Sequence, residues 1–491
     1  MSIQEAVNQL SKLQEEAKKL QQENAYLKEE LDQLKRLMFG KKNERFVPAD
    51  AAQSQLDFGQ PVNEVAPDVE QQTIHYTREK TKDKKKAVRL ALPAHLPREE
   101  EVLEPEGKEE GAVKLGEAVT EILEYTPGKV YVKRYVRPKY VQPTDEEAKR
   151  EILVAPLPTL PIPNGNVGAG LLAHLLISKY VDHLPFYRQV QMFKREGVKL
   201  AESTISGWFK AACKLLEPLY HELRKEVLAS GYLMADETPI PVQSNNKPGA
   251  THTGYLWVYR SPEKGGVIFD YQQSRGGQGP QAVLEGFSGA LQTDGYAAYD
   301  RFEKVPQVTL LACMAHVRRK FEQAKENDAT LAEHALTEIQ KLYTLERQCK
   351  EEGLDPHQIQ AARQQHALPV LTALKQWMEQ HYATVTPKSS IGKALAYALK
   401  LWPRIVRYTE NGSWNIDNNP VENSIRPVAL GRKNYLFAGS HDAAGWAAIL
   451  YSFFGTCKAQ EIEPFQWLKK TIEILPNAKV NDLKALLPLN Q

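Results

Sequence analysis

The sequence predicts a multidomain α+β protein, and three observations carry that prediction. A seven-residue apolar repeat runs through the first forty residues, and short apolar runs broken by turn residues fill the stretch after residue 230. A long helical pattern from about 320 to 410 then divides that second stretch in two. A chain of 491 residues asks for several units, since about 100–200 residues make one ordinary domain. Hydrophobic residues make up 42%, enough for a sizeable core, so the chain as a whole is not of the disordered class.

The total charge says little about partners. The 63 basic and 61 acidic residues nearly cancel to +2, so what matters is whether basic groups cluster. The four cysteines, Cys213, Cys313, Cys349 and Cys457, are far apart and form no C-x-x-C pair, which excludes a paired-cysteine zinc module. Their sparseness also favours a reducing compartment. The polar start MSIQEAVNQLSKLQEE is not a signal peptide, and no stretch approaches about 18 uncharged apolar residues. The expectation is a soluble, cytoplasmic protein with no membrane partner.

Each segment then has its own signature. In residues 1–46 the seam Ile3, Ala6, Leu10, Leu13, Ala17, Leu20, Asn24, Leu27, Leu31, Leu34 and Met38 follows steps of three and four. A lone helix of this kind would expose its apolar stripe, so the segment is expected to be a coiled coil joining two or more copies. Asn24 on the seam favours a two-stranded coil. Residues 47–90 form a linker and a basic arm, in which Lys84, Lys85 and Lys86 are candidate phosphate contacts. Over 91–160 the alternation EAVTEILEYTPGKVYVKRYVRPKYV around Pro127-Gly128 predicts a small β-hairpin module. Residues 161–230 are helical and helix-turn-helix-like, with Ser203 or Thr204 starting a helix and Trp208 on its buried face. Such helix pairs are more often structural than DNA-reading.

Residues 231–320 carry the chemistry. GYLMADETPIPV, GYLWVYRS and GVIFDYQQS have the spacing of an antiparallel meander, and the helix QAVLEGF precedes a fourth strand, GALQTDGYAAY. Three strands, a helix and a fourth strand open an RNase H-like mixed α/β fold. Asp236 closes the run YLMA and Asp294 the run GALQT, so adjacent strands would present both carboxylates at one sheet edge. One such Asp usually caps a turn. Two in equivalent places suit Mg²⁺ or Mn²⁺, hard ions that take carboxylate oxygens and leave room for substrate phosphates. A pair of such ions, about 3.5–4 Å apart, stabilises the attacking and leaving oxygens of an in-line displacement. A third carboxylate is then needed. Asn418 or Asn419 and Pro420 start a helix that puts Glu422 in its first turn, with Asp417 and Glu410 as rivals. Such a Glu also simply complements the helix dipole. Arg426 shares its face, and Arg432 and Lys433 follow Gly431, read as the helix stop. Residues 321–410 read as an α-helical insertion that interrupts this core, and 411–491 as its second part with the C-terminal helices.

The motifs ADETPIPV, TDGYAAY, CMAHVRRKF and DNNPVENSIRPVALGRKNYLFAGS resemble those of the large transposase of the insertion sequence 66 family. FGKKNERF, LPAHLPRE and HLPFYRQ extend the likeness over nearly the whole chain. The resemblance implies a DDE-type RNase H-like catalytic unit with Asp236, Asp294 and Glu422 as triad, two metal ions per site, cleavage at element ends and 3′-hydroxyl transfer into target DNA. Asp236 would bridge both ions, with Asp294 and Glu422 holding one each. It also implies element-end and target double-stranded DNA as partners, a homodimer or higher oligomer, helper proteins, and work at the bacterial nucleoid. Family members carry a cysteine-rich zinc segment after LPAHLPRE; here it has no cysteine, so no zinc is expected. Cys313 and His316 form a C-x-x-H pair placed near the pocket by the resemblance, while Arg318, Arg319 and Lys320 are candidate DNA-backbone contacts. A nuclease that cuts without joining, or a non-catalytic coiled-coil DNA-binding protein, would share much of this pattern.

Overall fold

The computed structural model describes residues 92–107, 112–126, 128–141, 152–243 and 249–490. The heptad segment and the basic arm with Lys84, Lys85 and Lys86 lie outside the described residues.

The expected hairpin is strand β2 (Val113–Thr126) paired antiparallel with β3 (Lys129–Val141). It is larger than predicted, because β1 (Arg98–Val102) runs parallel to β3 and β4 (Ile152–Val154) also pairs with it. Alternation places Val130, Val132 and Val136 on one face with Leu123, while Ile122 and Tyr135 are buried on the other. The sheet leans on helix α1 (Ala169–Tyr180), whose N-terminus gives the Leu171 N–H to the buried Glu124 carboxylate at 3.2 Å.

Helix α2 (Phe186–Arg195) and the 27-residue α3 (Glu202–Leu228) follow. Trp208 is buried on α3 as expected. The helix nevertheless begins ahead of Ser203 and Thr204, after Ala201, with no side-chain cap.

The central sheet has five strands in the order β7-β6-β5-β8-β9. Strands β5 (Tyr232–Gln243), β6 (Thr251–Arg260) and β7 (Val267–Gln272) form the predicted antiparallel meander. The short α4 (Gln278–Val283) leads to β8 (Gly289–Thr293), which lies parallel to β5, and β9 (Val308–Ala312) adds beside β8. Tyr232, Leu233, Met234 and Ala235 are all buried, as a strand covered on both faces requires. Asp236 is not a strand end, since β5 runs seven residues beyond it to Gln243. It is the point where β5 outgrows its pairing with β8, whose last partners are Met234 and Gln292.

From the end of β9 the chain enters a helical bundle of α5 (Met314–Ala324), α6 (Ala329–Glu351), α7 (Pro356–Ala362), α8 (Leu368–Tyr382) and α9 (Ser390–Val406). The bundle has its own apolar core, including Met314, Val317, Phe321, Ile339, Leu371 and Leu395. That core starts at Ala312, earlier than the expected insertion boundary. The chain then returns to the sheet. Gln292 on β8 donates to the Asn415 carbonyl at 2.8 Å, and the Tyr232 hydroxyl accepts the Asn415 N–H at 2.9 Å.

Helices α10 (Asn419–Tyr435), α11 (His441–Ala459) and α12 (Pro464–Ile474) complete the fold. On α11, Ser452 and Thr456 accept the N–H groups of Phe269 and Val267 at 2.8 and 3.0 Å, covering the edge strand β7. Gly431 does not stop α10, which continues to Tyr435. A Cβ there would meet Tyr435 at 2.6 Å and Tyr451 at 2.8 Å, so this glycine serves close packing and not termination. No helix among the described residues is long and apolar enough to cross a membrane.

Candidate active site

Three elements converge where β5 outruns β8. Asp236 projects from β5, and its Oδ1 accepts its neighbour's N–H, from Glu237, at 2.8 Å. Asp294 follows β8 directly, and its Oδ1 accepts the Tyr296 N–H at 2.9 Å in a tight Asp-Gly turn. Gly295 is required there twice over. Its φ is +85°, and a Cβ would lie 2.5 Å from Leu401 on α9. The same helix sends the Tyr397 hydroxyl to the Asp294 carbonyl, so the bundle braces this turn.

Glu422 arrives on α10, which is tied to the sheet along its length. Asn418, just before the helix, makes no side-chain cap. Its buried amide instead donates to the Ala235 carbonyl at 3.0 Å, one residue before Asp236. Arg260 of β6 donates to Ser424 at 3.1 Å. Further along, Arg432 donates to Thr238 at 3.0 Å and also to the Pro239 carbonyl. Arg432, expected on a DNA-facing surface, therefore has its Nη1 engaged by β5. Arg426 and Lys433 are exposed.

Glu422 is flanked by one cation and one imidazole from α5. Arg319 Nη2 stands 3.2 Å from Oε2 and His316 Nδ1 3.6 Å from Oε1. Arg319, expected to meet DNA, is thus turned to Glu422. Neither His316 Nδ1 nor Glu422 Oε1 has a hydrogen-bond partner, although both atoms are buried. Of the rivals, Asp417 accepts the Asn419 N–H at 3.1 Å and the Asn419 side-chain amide at 2.8 Å. Glu410 is exposed in a 3₁₀ turn, Arg407–Glu410.

The electrostatics connect the three carboxylates. Burial pushes the Asp236 carboxyl up to about 8, and the charges of Asp294, Glu237 and Glu422 push the same way against the Glu237 N–H. His316 is pushed down by burial, offset by Glu422 and Asp294. Carboxylates that repel one another in a half-dry recess fit a divalent cation, which would relieve all of them together.

A second grouping competes with this one. Cys313, His316 and Glu422 have ligand atoms all within 4.8 Å of one another. The Cys313 thiol is buried, takes the Asn418 N–H at 3.1 Å and is pushed up to about 12, chiefly by burial. The thiol ties the start of α10 to the start of α5, so Cys313 serves as a junction between them.

Sequence reasoning missed Glu237. Its side chain is 2% exposed, Oε1 accepts Arg275 Nε at 2.8 Å, and Oε2 is unpartnered. The close of the apolar run YLMA marks Asp236 and says nothing of the residue after it. Asn418 was read as a cap, and nothing local in the sequence reveals that it bonds to β5 instead.

The chain falls in the class of transposase-type nucleotidyl transferases, on the match of residues 164–445 to the family model described as "Transposase IS66 family". Residues 452–489 match "IS66 C-terminal element", and residues 26–100 match "Transposase C of IS166 homeodomain". Among relatives in Sinorhizobium fredii (strain NBRC 101917 / NGR234), "Uncharacterized protein y4jD" is 30% identical over 495 residues, covering 94% of each chain. "Uncharacterized protein y4hP" is 31% identical over 82% of this chain and 77% of its own. The chain belongs to the IS66 transposase family. That membership implies DNA as the partner, and DDE transposases as a class use divalent metal.

Proposed function

We propose that this chain cuts DNA at the ends of an insertion element and joins the freed 3′-hydroxyl to target DNA, with Asp236, Asp294 and Glu422 as the metal-holding residues. The observation that carries the reading is the crowding of Asp236 by the charges of Asp294 and Glu422, three residues far apart in sequence. The strand order β7-β6-β5-β8-β9 supports an RNase H-like core beneath them. Mg²⁺ or Mn²⁺, two per site, would supply water activation and charge neutralisation at the scissile phosphate.

The chain's own residues do the rest by positioning. Arg319 and His316 hold Glu422 in place before substrate arrives. Asn418 fixes the start of α10 against the strand that carries Asp236. Tyr397 and Gly295 lock the Asp294 turn onto the bundle. Pairing of two chains through the heptad seam of residues 1–46 would let one assembly hold both element ends.

The test uses labelled duplexes carrying the inverted repeats that flank the coding region, with full-length protein and Mg²⁺. Wild type should give both cleaved and joined products. Asp236→Asn, Asp294→Asn and Glu422→Gln should each lower cleavage by on the order of a thousandfold while DNA binding persists. Undiminished cleavage in any of the three removes that residue from the site. Cleavage without joining would make the chain a nuclease.

A further inference from the structure

We infer that the cleft between α5 and α6 is a binding site for the phosphodiester backbone of a DNA strand, with Arg347 of the helical bundle as one of its contacts. The inference rests on the functional reading above for the identity of the strand, and on the cleft's own chemistry for the rest.

The cleft encloses about 430 Å³ and is lined by Arg318, Arg319, Gln340, Tyr343, Arg347 and Asn419, among others. Arg318 and Arg319 come from α5, Arg347 from the facing helix α6, and Asn419 from the first turn of α10. All three arginines are exposed. No acidic side chain among the described residues forms an ion pair with Arg318 or Arg347. The one carboxylate in the lining, Glu322, has its own partner in Lys325 at 3.1 Å. Arg319 is already paired with Glu422, which leaves the Arg318 and Arg347 guanidinium groups lining one recess without an acidic partner among the described residues.

Two guanidinium groups without an acidic partner attract an anion into the recess they line, and it would relieve their mutual repulsion. Guanidinium forks suit phosphate oxygens, and the Gln340 and Asn419 amides add neutral donors beside them. The lining is guanidinium and amide around one aromatic ring, Tyr343, so the grip on the backbone comes from its charges. Position completes the case. Arg319 reaches from this cleft to Glu422, 3.2 Å away, so a strand whose phosphate lies at the carboxylates continues directly into it. The helical insertion then contributes a grip on DNA through Arg347, a residue with no motif around it.

The experiment measures affinity of the full chain for a labelled element-end duplex at several salt concentrations. Arg347→Ala should weaken binding about tenfold, as expected for a lost charge-assisted hydrogen bond. The slope of log affinity against log salt should become shallower by about one. Arg318→Ala should do the same, and the double variant should lose about two units of slope. Arg347→Lys should restore the slope but not the full affinity, since the fork is gone. With saturating DNA the cleavage rate of Arg347→Ala should equal that of wild type, with KM raised. Lys375→Ala, on α8 of the same bundle, is the control and should change nothing.

Wild-type affinity and slope in both Arg347→Ala and Arg318→Ala would overturn the proposal. So would displacement of the duplex by millimolar inorganic phosphate, which would mark the cleft as a site for a free anion. Loss of cleavage in Asp236→Asn with unchanged binding in Arg347→Ala removes the cleft alone. Retained cleavage in Asp236→Asn removes the catalytic reading and leaves the affinity result standing.

Discussion

At the scale of single residues, Asp236 shows the tension between stability and chemistry most clearly. Its carboxyl is pushed up to about 8 by burial and then by the neighbouring acidic charges, against an ordinary value of about 3.9 in an unfolded chain. Between about pH 4 and 8 the folded protein therefore keeps a proton that the unfolded chain has released. The stabilising effect is fully present below about pH 4 and is lost as pH rises through 8. Metal-free wild type should thus melt at progressively lower temperature across this range. Asp236→Asn has no such proton, so its melting temperature should change less with pH and exceed that of wild type at pH 8 by on the order of 5 °C. Millimolar Mg²⁺ should raise the wild type at pH 8, because the cation binds only the folded site. Thermal melts at pH 5 to 8 check this, and parallel curves for the two proteins would exclude Asp236 as the group responsible.

At the scale of elements, α10 is the part that joins the site together. It is bound to the central sheet near both of its ends: Asn418 to Ala235, and Ala438 to the Pro241 and Gln243 backbone at 2.8 Å each. Between them Arg432 holds Thr238 and Ser424 accepts Arg260. These ties set the height of Glu422 over β5. Asn418→Ala removes the first tie and leaves the buried Ala235 carbonyl short of a donor, which should cost about 1–3 kcal/mol. Chemical denaturation measures that loss. Cleavage should fall at least about tenfold, because a misplacement of an ångström is felt strongly in catalysis. A variant with lowered stability and full cleavage would show that Asn418 serves only the fold.

The same helix marks where sequence reading succeeds and where it stops. Proline at the start and the acidic first turn predicted its beginning, since capping chemistry is local. Its end was misplaced at Gly431, because a glycine looks alike whether it ends a helix or makes room for a neighbouring ring. Tyr451, which needs that room, is 20 residues away on another helix. Asp236 and Asp294 were legible as the acidic residues that close short apolar runs, a signal carried within each strand. Glu237 and Arg319 were not legible in their observed roles. Their partners lie on distant elements, and only the fold brings them together.

At the scale of the whole molecule, two apolar cores meet at the carboxylates. The bundle departs from β9 and the chain returns to the sheet just before α10, so Glu422 lies 128 positions beyond Asp294. The bundle is more than a spacer. Leu401 packs against Gly295, Tyr397 bonds the Asp294 carbonyl, and Arg319 on α5 holds Glu422. The succession of strands along the chain could be anticipated from turn signals, while this bracing could not.

All of this depends on Asp236, Asp294 and Glu422 acting together on a divalent cation. Calorimetric titration of Mn²⁺ into the full-length protein at pH 8 tests that most directly. Wild type should bind with an affinity that falls at least about tenfold in Asp236→Asn, Asp294→Asn and Glu422→Gln alike, as expected when one ligand of a shared site is lost. Equal Mn²⁺ binding by wild type and Glu422→Gln would contradict it.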